Sequence, residues 1–382
     1  TAARPEALLG SILHPETLAC VHLVTLGCLA TSCFGAFHAV LPLAMGTHLP
    51  SSWRDWFLLV AVQLTASGVA AHMALCTYGG VSWSALLLLV ALALQLPRYA
   101  RAVRAAKATF PLRLGVLLAW ANLGLAIVLG GALALQKSHP WLPHDPLHAL
   151  FAHAHLALGG FLGTLVAAVG IRLLPMFLPA RPVPSLLAAT PVLLLGVGGL
   201  VAGSGVLAPA LLDLGLWLLL AGGIAWLATV ATLVSRRRPP PPPNVPRLLP
   251  AHGLVAGAVA SFVAAIALGG ALRAQWLDAT WWPVYGALLL LGGFGSLVLG
   301  IGQRLLPLAA RLHAGPASGL PAHVLPSRQL AWCTASLWLL GLVQLPFALR
   351  SGSPDALRLA CTLLTVATAA DAWNLTNLRR RQ

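Results

Sequence analysis

The stretch HLVTLGCLATSCFGAFHAVLPLAMG, residues 22–46, decides the fold. It carries no Asp, Glu, Lys or Arg and exceeds the roughly 20 apolar residues that cross a bilayer core of about 30 Å as a helix. Two later stretches read the same way: HLALGGFLGTLVAAVGIRLLPMFLP at 155–179 and YGALLLLGGFGSLVLGIGQRLLPLA at 285–309. Each has glycines midway and a Leu-Pro near its end, at Pro42, Pro175 and Pro307, which lie 133 and 132 residues apart. Mid-helix glycines let neighbouring membrane helices approach closely. A fixed period is the mark of an internal repeat. The pattern predicts an all-α, polytopic membrane bundle with a threefold four-helix repeat, over approximately 17–145, 146–275 and 276–382.

Working outward, eleven apolar segments are expected, near 17–45, 56–78, 82–97, 111–135, 147–177, 185–206, 209–234, 251–272, 281–307, 329–349 and 356–376. The composition agrees. Apolar residues make up 59% of the chain and charged ones 8%, far below the roughly 25% of a soluble domain. One membrane domain over 1–382 is expected, with lipid as its main partner. The formal charge of +15 sits mostly in short loops beside apolar spans. There it sets topology and meets anionic lipid, so nucleic acid is not an expected partner.

Those loops orient the chain. Arg98, Arg101, Arg104, Lys107 and Arg113 follow the third segment, an Arg/Pro-rich loop at 236–247 follows the seventh, and Arg379, Arg380 and Arg381 end the chain. All fall on one side of an eleven-span bundle, which the positive-inside rule makes the cytoplasm. The N-terminus is then external, in a cell inner (cytoplasmic) membrane. A three-by-four scheme expects a further helix ahead of residue 1, and no signal-peptide pattern opens the chain. The prolines 239–243 form a stiff spacer. Trp53, Trp56, Trp141, Trp276, Trp281, Trp282 and Trp332 fall at segment ends, as an interfacial belt requires. Cys20, Cys28, Cys33, Cys76, Cys333 and Cys361 lack metal-binding spacing and read as small core residues. Arg172 and Arg304, beside the prolines, should snorkel to the interface.

Histidines inside a membrane point to function. His22, His72, His153 and His155 come from three segments and are expected at one depth near the external side, with His139, His144 and His148 in the loop nearby. His38 and His252 read as structural. The eight acidic residues lie in loops or near segment ends, so neither a zinc hydrolase nor a carboxylate proton pump is indicated. Imidazoles in apolar helices suit haem iron. His153 and His155, two apart, point about 200° away from each other on a helix and serve two different sites.

The stretch HAHLALGGFLGTLVAAVGIRLLPMF, from His153 onward, resembles the HxH-bearing helix of the haem–copper oxidase subunit I superfamily. His22 with its following glycines and LPLAMG is similar to that superfamily's other low-spin haem-ligand helix, and the threefold four-helix plan is similar too. The resemblance implies that His22 and one histidine of the pair, by preference His155, are axial ligands of a low-spin haem b. His153 would face a second haem or metal position, with His72 a further candidate. It implies one haem b or two, other subunits of a respiratory or redox complex as partners, and quinone as a reactant. The chain lacks the superfamily's His-His pair, so copper is not expected, nor is a complete oxidase. His14-Pro15-Glu16 is similar to a family ligand motif but precedes the first span. The expectation is an electron-transfer subunit of an oxidoreductase. The alternatives are a gas-binding, NnrS-like haem–metal protein, or a non-haem transporter or structural subunit.

Overall fold

The computed structural model describes residues 6–9, 12–40, 44–47, 49–140, 146–238, 249–314 and 327–377. Among them, eleven helices are long and apolar enough to cross a membrane. They are α1 (Pro15–His38), α2 (Trp53–Ala74), α3 (Tyr78–Ala105), α4 (Phe110–Lys137), α5 (Pro146–Phe177), α6 (Ser185–Val206), α7 (Pro209–Ser235), α8 (Pro250–Arg273), α9 (Ala279–Pro307), α10 (Arg328–Ser351) and α11 (Pro354–Thr376). The chain is a polytopic α-helical membrane protein. The expected segments match these helices closely, apart from α3, which runs past Pro97 to Ala105. Loss of hydropathy marks the edge of the lipid and not the end of the helix. Arg101 steadies the extension by donating its Nε to the Pro97 carbonyl at 3.1 Å.

Packing divides the chain into two units. One is Leu18–Pro239, and the other joins Thr1–Thr17 to Pro240–Gln382. In the first, α2 packs on α3, α3 on α4, and α6 on α7, with α4 also against α5 and α6. Small residues set the closest crossings. A Cβ on Gly160 would collide with the Asn122 amide, and one on Gly199 with that amide and the Gly160 Cα. Asn122 is fully buried, and its Nδ2 donates to the Leu118 and Gly196 carbonyls, both at 2.9 Å. Its Oδ1 has no conventional donor, and the two glycine Cα–H groups supply the weak contacts such an oxygen accepts.

A polar cluster ties α2 to α3. The Asp55 carboxylate accepts from Arg98 Nη1 at 2.7 Å and Gln95 Nε2 at 2.8 Å, while its other oxygen accepts the Ser52 amide at 2.7 Å. His38 Nε2 stands 3.4 Å from the same carboxylate. Tyr99, one residue beyond Arg98, is buried against Phe37 and Trp120.

The other unit packs α10 on α11 and α8 on α9, around Leu254, Leu299, Trp338, Leu345 and Leu357. Two buried polar pairs cross it: Trp338 Nε1 donates to Ser296 Oγ at 2.8 Å, and Gln303 Nε2 to Asp371 Oδ1 at 2.8 Å, while the buried Thr334 hydroxyl has no partner among the described residues. Asp278, exposed ahead of α9, accepts the Thr280 amide at 3.0 Å. The Thr280 hydrogen bonds hold its carboxyl below the usual carboxylate range.

Three of the helices change pitch in the middle. Leu23–Ala30 in α1, Leu156–Gly163 in α5 and Leu288–Gly295 in α9 are π-helical, eight residues each. They begin 133 and 132 residues apart. A hydroxyl closes each one by donating to the carbonyl five residues earlier: Thr31 to Leu26 at 3.0 Å, Thr164 to Gly159 at 3.5 Å and Ser296 to Leu291 at 3.4 Å. The wider π turn lifts main-chain groups out of the i−4 pattern, and the side chain supplies a partner at the right offset.

Some expectations need correction. Cys28, Cys76 and Cys333 are exposed and the other three cysteines only half-buried; where the solvent is lipid, a small apolar thiol sits as well on the outside as in the core. Six of the seven tryptophans lie at helix ends as expected. Trp141, His144, the prolines 239–243, Arg247, Pro42 and the arginines at 379–381 lie outside the described residues.

Candidate functional site

Two of the three π-helical segments have a histidine at their head. His22 precedes Leu23 and His155 precedes Leu156, whereas Ala287 precedes Leu288. The His22 ring is held by its own helix, with Nδ1 2.7 Å from the Leu18 carbonyl. His155 repeats this, with Nδ1 2.8 Å from the Phe151 carbonyl. His153 reaches across instead, placing Nδ1 3.0 Å from the Ala126 carbonyl of α4. Gly130, one turn along α4, makes room for it: a Cβ there would stand 2.8 Å from His153 Cε1.

A carbonyl oxygen only accepts, so Nδ1 carries the proton in all three rings. Each Nε2 is left with its lone pair outward, the tautomer that binds metals with an oriented imidazole. All three rings are half-buried.

The His22 and His153 rings meet, with centroids 6.2 Å apart and planes 20° from parallel. Two imidazoles on opposite sides of one metal ion, each nitrogen about 2 Å from it, place their ring centres roughly 6 Å apart. His22 and His153 form a near-parallel stack at that separation. The partner expected for His22 was His155, but the ring brought to it is His153. His155 stands against Phe151 of its own helix, centroids 6.4 Å apart. The opposed directions of His153 and His155 follow from helix geometry. Which of them meets His22 depends on how α5 is rotated against α4.

His72 is engaged elsewhere. Its Nδ1 lies 2.8 Å from Thr77 Oγ1, and its ring covers Gly80 so closely that a Cβ there collides with it. His14 Nδ1 accepts the Glu16 amide at 3.3 Å, and His252 Nδ1 accepts the Leu249 amide at 3.1 Å; both act at helix starts. His139 and His148 are exposed, as are Arg172 and Arg304. Among the described residues, no group of three or more His, Cys, Asp or Glu side chains is placed to hold a metal ion.

Sequence reading overlooked the Asp55–Arg98–Gln95 cluster and the hydroxyls that close the π-helical segments. The first had a faint signal in Gln95 and Arg98, three apart on a helix face. The second was visible as Thr31, Thr164 and Ser296 at the repeat interval. No protein-family model matches this chain, and no curated protein matches it.

Proposed function

We propose that this is a membrane haem-b protein related to haem–copper oxidase subunit I, passing electrons within a respiratory complex without a complete copper–haem oxygen-reducing site. The observation that carries this reading is the His22–His153 pair, stacked at 6.2 Å with both Nδ1 atoms pinned to carbonyls. A haem iron held by His22 and His153 would supply one-electron transfer. The Leu18 and Ala126 carbonyls fix the two rings and make their free nitrogens better donors, and Gly130 keeps α4 clear of His153. The three π-helical segments at a near-constant interval support the threefold four-helix plan. Electrons would pass between an external redox partner and quinol or a second centre, in an inner membrane with the N-terminus outside and the C-terminus in the cytoplasm.

A gas-binding, NnrS-like activity has one observation in its favour. The His155 Nε2 is also free, and His22 is not its neighbour. A haem held by His155 alone would leave its iron able to take a gas molecule.

The test is a dithionite-reduced minus oxidised optical spectrum of the purified chain, with and without CO. A six-coordinate haem-b spectrum lost in both His22→Ala and His153→Ala, and kept in His155→Ala, supports the electron-transfer reading. A CO-shifted Soret band that disappears in His155→Ala moves the assignment to gas binding. Protein made with haem available that carries none sinks both.

A further inference from the structure

The loops that follow α5 and α7 pair with each other. The Arg181 amide donates to the Arg236 carbonyl at 3.1 Å, and the Arg238 amide to the Pro179 carbonyl at 2.9 Å. Ala180 and Arg237 face each other in antiparallel register between these bonds. In this register Arg181 is directly opposite Arg236. Arg237 and Arg238 follow Arg236 directly, so four arginines gather where the two loops pair. All four are exposed.

Like charges directly across an antiparallel pair repel, so Arg181 facing Arg236, with Arg237 and Arg238 adjoining, calls for an anion. This unit does not supply it. Its described acidic residues are Asp55 and Asp213. Asp55 is already bonded to Arg98, Gln95 and Ser52. Asp213 lies in the first turns of α7, whose other end is Ser235, roughly 30 Å away at 1.5 Å per residue. The carbonyl end of the α7 dipole favours a cation near Arg236, but it fades within a turn and leaves Arg181 unanswered. Among the described residues, no side chain accepts from any of these four guanidinium groups.

The surroundings identify the anion. The site lies where two membrane helices end, and Met176, Val234 and Leu186 beside it are exposed apolar side chains. Acyl chains would lie on these residues while a headgroup reached the arginines. Guanidinium forks match phosphate oxygens in pairs, which lysines do not.

We propose that residues 179–181 and 236–238 form a headgroup site for a phospholipid bearing two phosphates, of the cardiolipin type. The site is independent of the haem reading.

The test measures cardiolipin binding to the full chain in detergent, by native mass spectrometry and by lipid-induced shift in thermal unfolding. Arg181→Gln/Arg236→Gln/Arg238→Gln should weaken binding at least tenfold. Arg101→Gln/Arg104→Gln/Lys107→Gln, which removes the same charge from another loop, should leave it within about twofold. Arg236→Lys keeps the charge but not the fork, and is expected to cost severalfold; it serves if the triple variant fails to fold. Equal losses in the two triple variants would reduce the effect to net charge and overturn the site. Wild-type affinity in the Arg181/Arg236/Arg238 variant would overturn it as well. So would an equal thermal shift from phosphatidylcholine, or displacement of the lipid by inorganic phosphate at matching concentration.

Discussion

The π-helical segments of α1 and α5 and the one in α9 share a length, a closing hydroxyl and an interval, but not a headgroup. His22 and His155 stand where α9 has Ala287. A π turn commonly marks a functional site, and a reader of α5 alone would attribute it to the histidine. The α9 segment keeps the same backbone without one. The distortion therefore belongs to the scaffold, and the imidazoles are chemistry placed upon it in one unit and not in the other.

The comparison breaks most visibly in the haem spectrum. Removing His22 or His153 should abolish the proposed six-coordinate absorption altogether, while Ala287→His should leave it unchanged; a new haem band in Ala287→His would show that headgroup identity alone separates the regions. Next in size is the packing inside the segments. Gly160→Val drives a side chain into the buried Asn122 amide, already held by two carbonyls, so it should cost about 3 kcal/mol or more, at the upper end of overpacking penalties. The same change at Gly292 meets both Oγ and Cβ of Ser261, at 2.6 and 2.7 Å; turning the hydroxyl relieves only the first, so the loss of thermal stability should be of similar size, about 1–3 kcal/mol.

The hydroxyls give the smaller effects. Ser296→Ala leaves the buried Trp338 Nε1 without an acceptor, so a loss of about 1–3 kcal/mol is expected in chemical or thermal unfolding. Thr164→Val removes only a 3.5 Å bond to its own helix and should cost under about 1 kcal/mol. If Thr164→Val proved as damaging as Ser296→Ala, the hydroxyl would matter more to the π backbone than its partner does, and the regions would be more alike than argued.

What the sequence showed and hid follows the same division. Eleven spans were legible because hydropathy reports directly on lipid contact, and the prolines and glycines exposed the recurring interval. The pitch change was not legible, since Leu23–Ala30 and Leu288–Gly295 read as ordinary apolar helix. The histidines were legible as residue types that apolar helices rarely tolerate. Their pairing was not. Whether His153 or His155 turns to His22 is decided by Gly130 and the Ala126 carbonyl on α4, a helix that carries no histidine. His72 looked equivalent by depth, but Thr77 and Gly80 hold it within the α2–α3 turn.

The Asp55–Arg98 pair constrains how the chain is made. Its charges lie 43 residues apart in sequence and are joined at 2.7 Å, with side chains only 14% and 13% exposed. Asp55 lies in the first turn of α2 and Arg98 where α3 leaves its apolar stretch, so inserted one after the other the two helices would each leave an unpaired charge at the lipid edge. Delivered together as a hairpin, they enter with that charge already cancelled.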